Sequence, residues 1–232
     1  MPKNTPKTTL YMLMSADGKI STGDIDSRDF DIDLKKVKGV KEGLYQYYDI
    51  EKTTDINSFN TGRVMAKIGV NTKKEPQIKS PCTFIIVDNK PHLTDKGVLY
   101  LTKWVKRLIL VTTNKQHPAF MMRNLNNLEV VFHSKKVDLT RLFIDLKEKF
   151  KMKKITLQSG GSMNAELFRK GLIDRLSVVV VPCIVGGKDT PSLVDGLSLR
   201  KDSDLKYIKT LSLDKVQKLK NSYLHIIYKV VS

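Results

Sequence analysis

Apolar runs of strand length alternate with stretches of helical period along most of this chain. Thr8 to Met14 is the first strand candidate, and the polar loop Ser15 to Ser21 ends it. Residues 22–34 are acidic and poor in apolar positions, which predicts a mobile surface loop. Val37, Val40, Leu44 and Tyr48 then recur near the helical period of about 3.6 residues. From Cys82 the alternation becomes regular. Strands are expected at Cys82 to Val87, Arg107 to Val111, Leu128 to Phe132 and Ile155 to Gln158. Between them lie a helix from Lys96 to Val105 capped by Thr94, a short helix opening at Pro118 and an amphipathic helix from Leu139 to Phe150. Strands separated by helices imply parallel pairing.

After Ile155-Thr156-Leu157 comes Gln158-Ser159-Gly160-Gly161-Ser162-Met163-Asn164-Ala165-Glu166, which joins a strand to a helix through adjacent glycines. Met163, Leu167 and Phe168 carry the helical period, and Gly171 offers its stop. Glycines let a ligand approach the backbone, and the unpaired amides of a helix start attract an anion. A tight turn capped by Ser162 accounts for the same residues without a ligand. Beyond the strand Ser177 to Val181 the character changes. Leu205 to Leu213 and Tyr223 to Val231 are strand-like with no helix between them, which predicts antiparallel strands at one edge.

Composition narrows the class. The 232 residues are 41% hydrophobic, enough for one substantial core, and a single domain over 1–232 with a flexible tail at 1–7 is expected. No run approaches the ~20 apolar residues of a membrane span and the start lacks a signal peptide, so a cytoplasmic protein is expected. Cys82 and Cys183 sit in apolar runs and read as core thiols, not as a disulfide or metal set. His92, His117, His133 and His225 lack metal-ligand spacing, and none is assigned to catalysis. The net charge of +17 raises the question of nucleic acid. The lysines are spread along the chain with no nucleic-acid module around them, so such a partner is not expected; a basic surface would favour phosphorylated small molecules.

The run from Gln158 through Gly171-Leu172-Ile173-Asp174-Arg175-Leu176 to Pro182-Cys183-Ile184-Val185-Gly186-Gly187-Lys188-Asp189-Thr190-Pro191 resembles the closing segment of the riboflavin-biosynthesis pyrimidine reductases. That family belongs to the dihydrofolate-reductase-like superfamily. The resemblance implies a mostly parallel central sheet flanked by helices, with antiparallel C-terminal strands, and places Ser159, Gly160, Gly161, Ser162, Met163 and Asn164 against the pyrophosphate of NADPH. Ser15-Ala16-Asp17-Gly18-Lys19-Ile20 resembles the family's Ser-x-Asp-Gly-Lys loop, which puts Ala16 beside the nicotinamide. Asn60-Thr61-Gly62-Arg63 resembles its glycine-containing helix start near the cofactor phosphates. Thr112 and Thr113 would hold the adenosine ribose and its 2′-phosphate, with Val87 and Asp88 on the neighbouring strand end.

Two departures stand out. Many pyrimidine reductases carry a glutamate where this chain has Ser159, and an acidic residue with a proline where it has Lys67-Ile68-Gly69-Val70-Asn71. With that carboxylate missing, Asp17 is the first candidate proton donor, an Asp-Gly turn being the equal alternative. Lys19 and Lys188 are placed near the substrate phosphate from their charge. No metal or covalent mechanism has its residues here, and the zinc-deaminase signature of bifunctional relatives is absent. The resemblance therefore implies a stand-alone, homodimeric reductase that passes hydride from NADPH to a phosphoribosylaminopyrimidine. The alternatives are a reductase of folate or another small carbonyl or imine compound, and a basic nucleic-acid or nucleotide-binding module.

Overall fold

The computed structural model describes residues 4–231. Its elements in chain order are β1 (Lys7–Ser15), α1 (Phe30–Asp33), α2 (Tyr45–Glu51), β2 (Asn57–Thr61), α3 (Gly62–Lys67), β3 (Ser80–Val87), α4 (Asp95–Trp104) and β4 (Val105–Thr112). They continue with β5 (Leu128–Phe132), α5 (Leu139–Glu148), β6 (Lys154–Leu157), α6 (Gly161–Arg169), β7 (Arg175–Val181), β8 (Leu211–Lys218) and β9 (Leu224–Val230). Two compact units share these elements. Among the described residues the first holds 4–6 together with Asp55–Ser159, the second Lys7–Thr54 with 160–231.

In the first unit the strands run in the order β5-β4-β3-β2-β6, and every neighbouring pair is parallel. Leu108, Ile109, Leu110 and Val111 of β4 are wholly buried, as a parallel strand covered on both faces requires, each contributing about 2 kcal/mol. Leu108 and Leu110 join Ile86, Val98, Leu101, Val105 and Leu128 in one apolar cluster. Caps set the helix starts. Thr94 accepts from the Gly97 amide at the head of α4, and Asp138 accepts from the Arg141 amide at 3.1 Å at the head of α5. The register aligns Thr61 with Val87 and Val87 with Val111, so the carboxyl ends of β2, β3 and β4 lie side by side.

β2 has no apolar pattern. Within Asn57-Ser58-Phe59-Asn60-Thr61 the interior positions Ser58, Phe59 and Asn60 are buried, and two of the three are polar. Asn60 donates to the Ser58 hydroxyl at 3.0 Å, and that hydroxyl donates to Gln158 Oε1 at 3.1 Å. Side-chain hydrogen bonds thus satisfy polar groups that an apolar strand would not carry.

In the second unit β1 pairs parallel with β7, while β9 pairs antiparallel with both β7 and β8. The antiparallel C-terminal strands are those the sequence predicts, with one shift. Residues 202–207 form a 3-10 turn, so the strand expected over Leu205 to Leu213 begins at Leu211 instead and runs on to Lys218 as β8. Tyr11, Phe30, Leu34, Val40, Tyr47, Val179 and Tyr223 make the core of this unit. Tyr11 stacks on Tyr47 at 4.9 Å and donates its hydroxyl to the Tyr47 carbonyl at 2.6 Å.

The acidic stretch 22–34 differs from the expected surface loop. Phe30 and Leu34 are buried, Asp29 caps α1 by accepting from the Asp31 amide, and Asp33 gathers Thr22, Lys36 and the Asp29 amide. Two apolar anchors and a shared carboxylate order the segment. In the same way Lys7 already belongs to β1, while residues 1–3 of the expected tail lie outside the described residues. The chain is a mixed α/β fold, mostly parallel, that closes with antiparallel strands.

Candidate functional site

The two adjacent glycines have different reasons to be glycine. At Gly161 an added Cβ would stand 2.3 Å from both Asp195 Oδ2 and the Ser192 carbonyl. That backbone is locked to the 192–195 loop, since the Asp195 amide donates to the Gly161 carbonyl at 3.1 Å. Asn164, fully buried one turn on, donates to the Leu193 carbonyl at 2.8 Å and fastens the same loop. At Gly160 nothing lies within 4 Å of an added Cβ, and its φ of −72° is open to any residue. Packing explains Gly161; open space surrounds Gly160. Gly160 is also the N-cap of α6 and, as a glycine, contributes no side-chain cap. Ser162 is exposed inside that turn and Met163 is half-buried, whereas Ser159 is buried.

The loop after β1 is built around Asp17. Its carboxylate accepts from the Ser15 hydroxyl at 2.6 Å, the Val185 amide at 3.1 Å and the Gly186 amide at 2.7 Å. The Ser15 hydroxyl, assisted by the backbone amides, pulls the acid down to about 2 against burial, which works to raise it. Asp17 is therefore ionised at neutral pH and ties its loop to residues 185–186. Ala16 is exposed with its amide on the Cys183 carbonyl, and Gly18 closes the turn at φ +83°. Lys19 donates to the Thr190 carbonyl at 2.9 Å, while Lys188 is exposed. Cys183 is half-buried rather than a core thiol, and burial together with the Asp17 charge raises it.

In the first unit the aligned ends of β2, β3 and β4 bring Asn60, Thr61, Gly62, Val87, Asp88, Thr112 and Thr113 together. Thr61 caps α3, and Arg63 is exposed in its first turn. A Cβ on Gly62 would stand 2.1 Å from Asp88 Cγ, so this glycine serves the close approach of Asp88. Thr112, wholly buried, donates to the Asp88 carbonyl at 2.7 Å, and the Thr113 amide donates to Asn89 Oδ1 at 3.1 Å.

Asp88 itself is 1% exposed and organises two histidines that sequence reasoning passed over. His117 Nε2 lies 3.1 Å from Oδ2, which also accepts the Leu93 amide at 3.0 Å. His92 Nδ1 lies 2.9 Å from Oδ1, which accepts the His92 amide as well. Burial works to raise this carboxyl, but the bonds from His117, Leu93 and His92 outweigh it and hold it below the usual carboxylate range. No sequence spacing announces the group, because His117 stands 29 positions from Asp88 and reaches it only through the fold. Among the described residues no three or more histidine, cysteine or acidic side chains gather to hold a metal ion, and no helix is long and apolar enough to cross a membrane.

Comparison with known proteins places the chain in a family. A family model described as the RibD C-terminal domain matches residues 6–225. The riboflavin biosynthesis protein RibD of Actinobacillus pleuropneumoniae is 24% identical over 199 residues, covering 84% of this chain and 50% of the relative. A 2,5-diamino-6-ribosylamino-4(3H)-pyrimidinone 5′-phosphate reductase of Aquifex aeolicus is 26% identical over 106 residues, 44% of this chain and 47% of that one. The chain thus spans about half the length of these curated relatives. Among solved structures, a pyrimidine reductase-like protein of Corynebacterium diphtheriae superposes with a TM-score of 0.68 at 15% identity, over 98% of this chain and 92% of that one. Acinetobacter baumannii RibD does so with a TM-score of 0.67 at 13% identity, over 100% of this chain and 60% of that chain. With its fold shared by these structures and all but its extreme ends matched by one model, the chain belongs to the RibD C-terminal domain family.

Proposed function

We propose that this protein is an NADPH-dependent reductase, acting as one domain in the cytoplasm, that passes hydride to a phosphoribosylaminopyrimidine and reduces its ribose to a ribityl chain. Gly160 carries the reading. The fold places no atom near its Cβ position, yet glycine stands there at the start of a nine-residue helix, as close approach by a pyrophosphate would require. In the first unit, Thr61, Gly62, Arg63 and Thr113 stand at aligned strand ends, where open α/β sheets bind ligands, while Thr112, wholly buried with its hydroxyl on the Asp88 carbonyl, supports that row from beneath. The family match and the names of the relatives support the same substrate class.

The nicotinamide would supply the hydride, so the protein's tasks are to bind, orient and exclude water. Asp17 holds the Ser15–Lys19 loop through the Val185 and Gly186 amides and gives Ala16 a fixed backbone beside the ring. As an ionised acceptor it organises this loop; it would serve as proton donor only if substrate binding raised its pKa by several units. Lys19, whose ammonium donates to the Thr190 carbonyl at 2.9 Å and the Ser192 hydroxyl at 3.4 Å, and the exposed Lys188, two residues beyond Gly186, are assigned to the substrate phosphate from their charge. A homodimer is part of the proposal, supported by the exposed Leu205, Ile208, Leu213 and Val216 and by β8, which has a strand partner on one side only. Leu213→Asp should then lower the mass seen by light scattering from two chains to one.

The decisive experiment titrates the protein with NADPH and follows nucleotide fluorescence, then supplies the phosphoribosylaminopyrimidine and looks for the ribityl product. Saturable binding, weaker for NADH, followed by turnover is expected. No binding at high micromolar NADPH would remove the reductase assignment, and binding without turnover would move the substrate to folate or another carbonyl or imine compound.

A further inference from the structure

Residues 190–195 of the second unit form neither helix nor strand beyond a single bridge between Ser192 and Lys19, yet they are fastened on two sides. Toward the loop after β1, the Ile20 amide donates to the Pro191 carbonyl at 3.0 Å and the Leu193 amide to the Gly18 carbonyl at 2.9 Å. The Lys19 ammonium adds its bonds to the Thr190 carbonyl and the Ser192 hydroxyl. Toward α6, the Asp195 amide donates to the Gly161 carbonyl at 3.1 Å and Asn164 Nδ2 to the Leu193 carbonyl at 2.8 Å. Leu193 is the crossing point, with its amide on the loop and its carbonyl on the helix. Asp195 shapes the crossing, because its Oδ1 accepts the Ser192 amide at 3.0 Å and closes the turn between the two contacts. The helix gives up a side chain at Gly161 so that Ser192 and Asp195 can come this close. Fastening the segment alone would need one partner; it has one on each side.

We propose that Asp195 is a positioning residue, which keeps residues 191–195 as a tie so that a dinucleotide on the head of α6 tightens the Lys19 loop for the substrate. The proposal rests on the reductase reading, which seats a pyrophosphate at Gly160 and the substrate phosphate at Lys19. Coupling between two sites is carried by contiguous hydrogen-bonded groups, and here the path is short. An anion at Gly160 restrains the first turn of α6, and the Gly161 carbonyl passes that restraint to the Asp195 amide. The Asp195 side chain passes it to the Ser192 amide, and Ser192 adjoins both the Lys19 ammonium and the Leu193 amide that holds Gly18. Without the carboxylate the Ser192 amide loses its acceptor, while the two ends of the tie keep their own contacts. Because binding free energies are linked, the substrate must tighten the cofactor by the same factor.

The test uses NADP+, which binds without turnover, and measures the dissociation constant of the phosphoribosylaminopyrimidine with and without it. Wild type, Asp195→Ala, Asp195→Asn and Asn164→Ala are compared, with thermal unfolding to verify folding. In the wild type NADP+ should tighten the substrate on the order of tenfold, and the substrate should tighten NADP+ equally. Asp195→Ala and Asn164→Ala, which cut the tie at different bonds, should bring that factor to within about twofold of unity. Asp195→Asn, which keeps an acceptor for the Ser192 amide, should retain it. Loss of packing alone would weaken both ligands and leave the factor unchanged. A second readout needs no substrate: NADP+ should slow hydrogen exchange at the Ile20 and Leu193 amides in the wild type and not in Asp195→Ala. A wild type that turns over without coupling, or an Asp195→Ala that keeps the wild-type factor and protection, overturns the tie and leaves the reductase standing. A wild type that binds no dinucleotide overturns both.

Discussion

Two aspartates follow two strands, and their surroundings give them opposite roles. Asp17, after β1 in the second unit, is exposed, and backbone amides and one hydroxyl hold it as an anion. Asp88, after β3 in the first unit, is buried and shares its anion with two histidines and two amides. Exposure makes the first a local fastener whose loss water can partly repair. Burial makes the second a support that its neighbours cannot lose without leaving donors unpaired.

The comparison breaks most sharply at Asp88. Asp88→Asn should destabilise the protein by about 3 kcal/mol, lowering the unfolding midpoint by roughly 10 °C in calorimetry, because an amide cannot accept at both positions from four donors. A loss under about 1 kcal/mol would show that water reaches the cluster. The glycines give the next effect. Gly161→Ala forces a Cβ into the 192–195 loop and should cost about 2 kcal/mol. Gly160→Ala should leave stability within about 0.5 kcal/mol while weakening NADPH. If both alanines melted alike, the distinction between packing and open space would be wrong.

Asp17→Asn is the mildest at neutral pH, and its signature lies in acid. The folded-state pKa of about 2 is below the ordinary carboxylate value, so the stabilisation from ionised Asp17 is complete above pH ~4 and fades as pH falls toward 2. Unfolding midpoints of wild type and Asp17→Asn should converge across that window. Parallel curves would show that the three hydrogen bonds are absent in solution.

Most of the architecture was readable because apolar periodicity drives it. β5 falls on Leu128 to Phe132 as the pattern predicts, Thr94 caps α4, and Pro118 opens its short turn. β2 was not readable, since Ser58 and Asn60 are buried through hydrogen bonds that a linear pattern does not encode. The ordering of 22–34 likewise depends on what Phe30 and Leu34 meet in the fold. The site was legible as motifs and illegible as roles. The sequence singles out Gly160 and Gly161 together, but only the fold separates the packed glycine from the open one. His92 and His117 left no signal, because an aspartate and a histidine become partners through the course of the chain between them.

The polar β2 has a consequence for how the first unit forms. With only Phe59 to reward early collapse, the strand has little reason to settle until β3 and β6 are in position and Ser58, Asn60 and Gln158 can meet. Its amides should gain protection late in refolding. The row that brings Thr61 and Gly62 to the candidate site is thus a keystone, set after the stones that flank it.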